Sequence, residues 1–435
     1  MKMKNNWNYK VLKDNINLKK AFKLSYSNRF DALTAQLTTD DDDYQRKCYT
    51  SMVESINHAA SENIPPKPKQ TLRSVTHDHP LFIAAQSKRD KAVKEASRRR
   101  TRAAAKEVKR WSEELARIEC SLLDEHVNQA ISEINCAFST RSDSSAQAWK
   151  LVNKVTGRKQ KTSSVITGYK STQERYKAWT DHYSNLLYDP AISINTSNLV
   201  VDNPLPIDTE PFSKDEYHAA LKKLKNTSSL DGIPTSVFKD VDLSSTLLPI
   251  LNDILLTGIA PNEMLLTGIL PIPKGTSSFN PANSRGISMI PVITKLFNRM
   301  LLDRIRCHVE PLLRFNQNGF RPERGTREQI LAIRRISKEV ICYNLPAVMT
   351  SIDFSKPFDS ILRSKLSEIL AAYRIPPLII KAILALYTNT KARVMMPEGI
   401  TMELLANLGI LQGDVLAPFI FIVVLGYILI PEELS

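Results

Sequence analysis

The 435-residue sequence is poor in the side chains that build covalent or metal-held frameworks. It has five cysteines (Cys48, Cys120, Cys136, Cys307 and Cys342) without paired spacing, and seven histidines. An odd, scattered set in a chain this long excludes a disulfide scaffold and reads as reduced thiols in nucleus or cytoplasm. Adjacent Cys307 and His308 have no second pair nearby, so no zinc pattern forms on them. The first residues, MKMKNNWNYKVLKDN, lack the apolar core of a secretory signal. The longest apolar run, APFIFIVVLGYILI at residues 417–430, is shorter than the ~20 residues of a spanning helix and has Pro418 near its start. A buried core helix is expected there and no membrane partner, with a tail anchor as the alternative. No tandem repeat is present.

Acidic charge is also in deficit, with 45 Asp+Glu against 59 Lys+Arg and a net charge of +14. The excess is concentrated: residues 86–110, QSKRDKAVKEASRRRTRAAAKEVKR, hold eleven basic and three acidic side chains. Neutralising phosphates releases condensed counterions, so such density points to a polyanion partner; a solvated helix face is the plainer alternative. The triplet Arg98, Arg99 and Arg100 tilts the reading towards nucleic acid.

The first two hundred residues read as mostly helical and polar. One long helix is expected from about Leu81 through the basic stretch, with Trp111, Leu115, Ile118 and Leu122 on a helical stripe that continues through Val127, Ile131 and Ile134. NIPPKPKQ is a proline-rich break. The Asn-, Ser-, Thr- and Pro-rich residues 188–212 read as a linker between a helical region, 1–187, and a second domain, 213–435. In that domain Ser213 and Glu216 form a capping-box pattern ahead of an amphipathic helix. MLLTGILPIPKG reads as a strand ending in a lysine, and ISMIPVITKLFNRMLLDRIRCHVEPLL as a long helix. LPAVMTSIDF reads as a strand, two helices follow, and KARVMM with MELLANLGI reads as a hairpin. The alternation predicts an α+β domain with a small antiparallel sheet after a mostly helical region.

The second domain also carries the candidate chemistry. Asp353 ends the apolar LPAVMTSIDF run, a position from which a carboxylate can hold Mg²⁺ through oxygen ligation; most acids at strand ends are turn or cap formers. The company of this residue is more telling. SIDFSKPFDS, NTSSLDGIPTSVFK, LPIPKG with NSRGISMIPVITKLFNRMLLDRI, QNGFRPERGTREQI and GILQGDVLAPFIFIVVL resemble, in order, motifs of reverse transcriptases from non-LTR (LINE-type) retrotransposons. YKVLKDNINLKKAFKLSYSNRFDAL and WKLVNKVTGRKQ resemble the segment that joins endonuclease to polymerase in those elements.

The resemblance implies a fingers-and-palm fold and RNA-directed DNA synthesis by two-metal phosphoryl transfer, with Mg²⁺, an RNA template, a DNA primer and deoxynucleoside triphosphates. It implies that Asp353 is a metal-binding catalytic carboxylate and that the Phe354 carbonyl completes part of the coordination. Phe358 would be the ring under the sugar that excludes a 2′-hydroxyl. Lys274 and Arg285 would neutralise the triphosphate, and Gln412 and Gly413 would lie against the nascent base pair. Arg321 and Arg324 would touch the template backbone. Seen singly, each of these is an ordinary surface charge, core aromatic or turn.

Three departures from the family pattern bear on activity. The paired-aspartate motif that usually follows, YADD or FADD, is not among these residues, whose adjacent aspartates are Asp40–Asp43. Pro357 stands where the family has alanine and removes an N–H from the turn. Gly426 and Arg374 replace a common aspartate and a common glycine. The sequence therefore reads as a reverse transcriptase incomplete in its palm, with a nucleic-acid-binding remnant or a decayed reading frame as alternatives. An incomplete palm should leave the apolar 417–430 segment poorly covered.

Overall fold

The computed structural model describes residues 7–37, 44–66, 79–99, 101–139, 171–190, 194, 199–226, 229–274, 281–396 and 399–429. Contacts divide the chain into two compact units, Pro68–Thr162 and the remainder, Met1–Lys67 with Ser163–Ser435.

The smaller unit contains helices α3 (Pro80–Arg99) and α4 (Arg102–Ser139), numbered after two earlier helices of the larger unit. The single long helix expected from Leu81 is thus broken. Thr101 ends one helix and caps the next, its Oγ1 accepting the Ala104 amide at 3.4 Å. The helices fold back on each other, so that Lys88 Nζ lies 5.0 Å over the Trp111 ring. Folding back lets Phe82, Ala85 and Ala92 of α3 become buried. Arg98 and Arg99 sit exposed at the tip, with Arg99 paired to Glu95 at 3.2 Å. Arg100 lies outside the described residues.

In the larger unit α1 (Ile16–Thr34) and α2 (Tyr44–Asn63) pair along their length, burying Phe22 and Tyr26 against Tyr49, Met52 and Ile56. Helix α5 (Thr172–Leu187) opens with a full capping box, Ser171 with Glu174. It precedes the 188–212 stretch in sequence, yet its Trp179 and Tyr183 pack on the sheet. That sheet holds β1 (Leu266–Pro273), β2 (Ser284–Met289), β3 (Lys391–Val394) and β4 (Leu404–Leu405) in the order β2-β1-β3-β4. The α+β class and the 391–405 hairpin are as expected. The sheet is mixed: β1 pairs antiparallel with β2 but parallel with β3. The parallel pairing is possible because the helices between Val292 and Ala385 supply the long crossover that parallel strands require.

The main core, shared with the N-terminal pair, is built by α6 (Lys214–Lys223), α7 (Thr235–Asp240), α8 (Ser244–Thr257), α9 (Val292–Val309), α11 (Leu366–Ala372), α12 (Pro377–Ala385) and α13 (Ala417–Ile428). The predicted capping box of α6 is present, Ser213 Oγ accepting the Glu216 amide and Glu216 Oε2 accepting the Ser213 amide. Helix α9 starts at Val292 rather than at Ile287, because Pro291 sits at its N-cap and the preceding residues are spent on the β2 ladder. Two further expectations are overturned. The apolar 417–428 segment is well covered: α13 buries Phe419, Ile420, Ile422 and Val423 in the main core. Conversely, residues 345–354 form no strand, and Val348 and Ile352 are 95% and 74% exposed. A strand needs a ladder partner to satisfy its amides, and no ladder among the described residues includes this run. The helix before it, α10 (Thr326–Cys342), has no buried residue and exposes Leu331 and Ile336.

One ionic anchor holds α9 to α6. The nearly buried Arg304 guanidinium donates to Glu216 Oε1 and Oε2 at 2.6 and 2.8 Å and to the carbonyls of Asp208 and Glu210 at 3.1 and 2.7 Å, and it lies 4.3 Å over the Phe212 ring. Arg304→Met leaves Glu216 Oε1 and the carbonyls of Asp208 and Glu210 without this donor; a loss of roughly 3 kcal/mol is expected in denaturant unfolding, with the secondary structure unchanged.

Candidate functional site

The basic pair comes from strand register. Ile272 stands opposite Arg285, and the Lys274 amide donates to the Asn283 carbonyl at 2.9 Å. Residues two apart on a strand share a face, so the exposed side chains of Lys274 and Arg285 project from the same face of the β1–β2 ladder.

The Phe354–Ser360 segment brings a third basic residue. Lys356 adopts φ +51°, outside the αR region that the following Pro357 disfavours, and its carbonyl accepts the amides of Asp359 and Ser360 at 2.9 and 3.1 Å. Burial raises the Asp359 carboxyl above its ordinary range, while the charges of Lys356 and Lys274 oppose that rise. The end of β1 and this turn therefore meet around one half-buried acid. His182 of α5 faces the same turn; burial first, then Lys356, lowers its pKa.

The 409–414 loop is strapped onto both parts. Gly409 donates to the Ile361 carbonyl at 2.9 Å and Ile410 to the Phe358 carbonyl at 2.8 Å. Gly409 has φ +74°, and a Cβ there would lie 2.7 Å from the Asp359 Cα, so no other residue fits. Further on, the Ser288 amide of β2 donates to the Gln412 carbonyl at 2.6 Å. Gly413, at φ +121°, passes so near β2 that a Cβ would meet the Ser288 carbonyl oxygen at 2.7 Å. Gln412 and Gly413 thus lie against the strand that carries Arg285.

Asp414, which the motif reading left without a role, anchors this turn from below. Its carboxylate accepts the Asn298 side-chain amide at 2.7 Å and the Val415 amide at 2.6 Å. Burial pushes its pKa up to about 6, against the downward pull of these hydrogen bonds and of the Lys295 charge. Lys295 lies three residues before Asn298, on the same side of α9, and its charge also reaches the buried Asp231 of the LDGIP turn. The adjacency of the aspartate to Gln412–Gly413 was the signal in the sequence; its burial was not.

Other predicted residues are placed elsewhere. Asp353 and Phe354 are exposed on the irregular 345–354 run, and Phe354 borders an apolar groove with Ile361, Ile369 and Phe421. No group of three or more metal-capable side chains gathers among the described residues. A lone exposed carboxylate does not fit two divalent ions about 3.5–4 Å apart. Arg321 is nearly buried, paired to Glu310 at 2.6 Å and donating to the carbonyls of Arg314 and Gln317 at 2.8 and 3.2 Å. Arg324 is exposed and donates to the Phe315 carbonyl at 2.5 Å. Arg98 and Arg99 belong to the other unit. Phe358 is half-buried in a cluster with Phe320 and Phe421.

The basic sheet face and the glycine-bearing turn thus lie side by side. Residues 272–433 match the family model described as reverse transcriptase (RNA-dependent DNA polymerase), so this stretch is a reverse transcriptase family domain. The chain is similar, at 26% identity over 225 residues (51% of the chain), to a retrovirus-related Pol polyprotein from the type-1 retrotransposable element R2 of Nasonia vitripennis. It is also similar, at 23% over 259 residues (58% of the chain), to one from the type-2 element R2DM of Drosophila melanogaster. The aligned parts span only 22% and 24% of those relatives' own lengths.

The Asp414 environment generates a signed pH dependence. Its pKa is higher folded than unfolded, so the native state binds the proton more tightly and stability falls as pH rises from about 4 to about 6, then levels. Asp414→Asn removes the titration and keeps both hydrogen bonds once Asn298, whose Oδ1 has no partner, turns its amide over. Melting curves from pH 4 to 7 should show the variant gaining on the wild type by a few kcal/mol at most, up to about pH 6 and not beyond.

Proposed function

We propose that this chain is the fingers and part of the palm of a non-LTR retrotransposon reverse transcriptase related to R2 elements. It grips nucleic acid and the incoming deoxynucleoside triphosphate, and these residues by themselves do not complete nucleotidyl transfer. The observation that carries the reading is the main-chain hydrogen bond from Ser288 to Gln412, which joins the Lys274–Arg285 face to the Gln412–Gly413 turn inside a reverse transcriptase family domain.

In this reading Lys274 and Arg285 neutralise the triphosphate, one as a point charge and one as a planar fork. Gln412 and Gly413 support the nascent base pair, and Phe358 lies under the sugar. Arg324 contacts the template backbone, and Arg321 acts on that contact through the loop it holds. The family implies Mg²⁺, with Asp353 as its carboxylate and the Phe354 carbonyl beside it. One exposed acid does not fit the ion pair that transfer requires, which is why grip without synthesis is proposed. The basic hairpin tip of α3 and α4, with Arg98, Arg99 and Arg100, adds affinity for RNA. Among the described residues no helix is long and apolar enough to cross a membrane, and nucleic acid rather than lipid is the proposed partner.

One observation favours a decayed reading frame instead: α10 and the 345–354 run leave a broad apolar surface open to solvent. Aggregation that resists every solution condition would support that alternative.

On a primed RNA template with deoxynucleoside triphosphates and Mg²⁺ or Mn²⁺, no primer extension is expected. Incorporation that disappears in Asp353→Asn would overturn the proposal. In filter-binding titrations the chain should bind RNA with a steep salt dependence. Replacing Arg98, Arg99 and Arg100 by alanine should weaken binding uniformly across sequences and flatten the log–log salt slope by about two.

A further inference from the structure

The Phe358 ring does not stand by itself. It is stacked on Phe421 of α13, with centroids 5.0 Å apart and planes 28° from parallel. Phe320 meets it edge-on at 5.9 Å and meets Phe421 edge-on at 6.1 Å. The three rings come from three separate segments: the turn after Asp353, the loop after α9, and the helix after the Gln412–Gly413 turn. The Phe358 carbonyl already accepts the Ile410 amide at 2.8 Å, so its backbone is fixed beside that turn. What remains free is the rotation of the ring, and the two other phenyls determine it.

Phe320 is held for this contact at a cost. Its backbone sits at φ +60°, a conformation that bulky side chains rarely adopt and that persists where the surroundings enforce it. The enforcing group is the neighbouring Arg321, whose guanidinium grips Glu310 and the carbonyls of Glu310, Arg314 and Gln317 and so ties the whole loop to the end of α9. Phe320 is nevertheless 54% exposed. An aromatic recruited only for core packing would be covered; this one keeps an open face beside Phe358.

We propose that Phe320 and Phe421 are positioning residues for Phe358, and that Arg321 is the strut that sets Phe320. Together they decide how strictly the site separates a 2′-deoxyribose from a ribose. The inference rests on the reading of Phe358 as the ring under the sugar. A ring held in one rotamer excludes a 2′-hydroxyl; a ring free to swing admits it. Loosening the cluster therefore improves ribonucleotide binding without weakening deoxyribonucleotide binding, whereas a purely structural defect weakens both.

The test uses the full chain on a primed RNA template with Mg²⁺, and calorimetric titration with dATP and with ATP opposite a templating U. In Phe320→Leu and Phe421→Leu the ratio of the ATP to the dATP dissociation constant should fall by about three- to tenfold, through tighter ATP binding. Phe320→Tyr, which keeps the ring, should bind like the wild type, and melting temperatures identify any variant that has simply unfolded. Parallel weakening of both nucleotides, or no change in the ratio, overturns the inference. If Phe358→Ala alone abolishes discrimination, the sugar-floor reading stands and the positioning roles fall. If the wild type binds neither nucleotide or does not distinguish them, the reading of Phe358 fails and this inference fails with it.

Discussion

A buried guanidinium that pairs with no carboxylate among the described residues holds the centre of the reverse transcriptase domain. Arg363 donates to the carbonyls of Tyr387, Ala406 and Gly409 at 2.8, 2.6 and 2.6 Å and to Thr390 Oγ1, and its side chain lies over the Tyr387 ring. Burial lowers its pKa to about 10, still far above neutrality, so the charge stays. A buried cation must be met by dipoles, and a buried carbonyl must be met by donors. Each requirement satisfies the other here. The end of α12, the approach to β3 and the strand leading to Gly409 are thereby drawn to one point. The geometry of the candidate site follows from that convergence, because Gly409 and Ile410 then pair with the turn carrying Phe358 and Asp359.

Two further layers rest on this centre. Beneath the Gln412–Gly413 turn, Asp414 and Asp231 share the charge of Lys295, linking the loop to the LDGIP turn through one face of α9. Above it, the three phenyl rings join the loop after α9 to α13. The Ser288–Gln412 hydrogen bond and the close approach of Gly413 to Ser288 join the loop to β2, which makes the register of that strand important to the turn.

The basic pair stands on a completed ladder and Asp353 does not, and packing explains the contrast. Lys274 and Arg285 stand on a paired ladder whose other face is covered by Trp179 and Tyr183. Asp353 stands on a run with strand-forming composition but no ladder. The amphipathic helix before that run has nothing buried on it. Apolar pattern alone does not make a strand or a core helix; a partner surface does.

Much of this domain was legible in the sequence. The capping box at Ser213, the 391–405 hairpin and the buried 417–428 helix follow from local chemistry and composition, and the ordered motifs pointed to the reverse transcriptase class whose family model residues 272–433 match. What the sequence could not display is which cations are spent inward. Arg321, Arg324 and Arg363 read alike as letters, yet one is a loop strut, one is exposed and one is the buried hub. Nor could it show that the helix from Leu81 breaks at Thr101, or that residues 345–354 stay unpaired. Local sequence determined where elements begin, where backbone must be glycine and where charge accumulates, because capping, φ angles and net charge are short-range properties. Tertiary structure decided which charges are buried, which rings touch and which apolar run finds a partner, because those depend on segments far apart in the chain meeting at hydrogen-bonding distance.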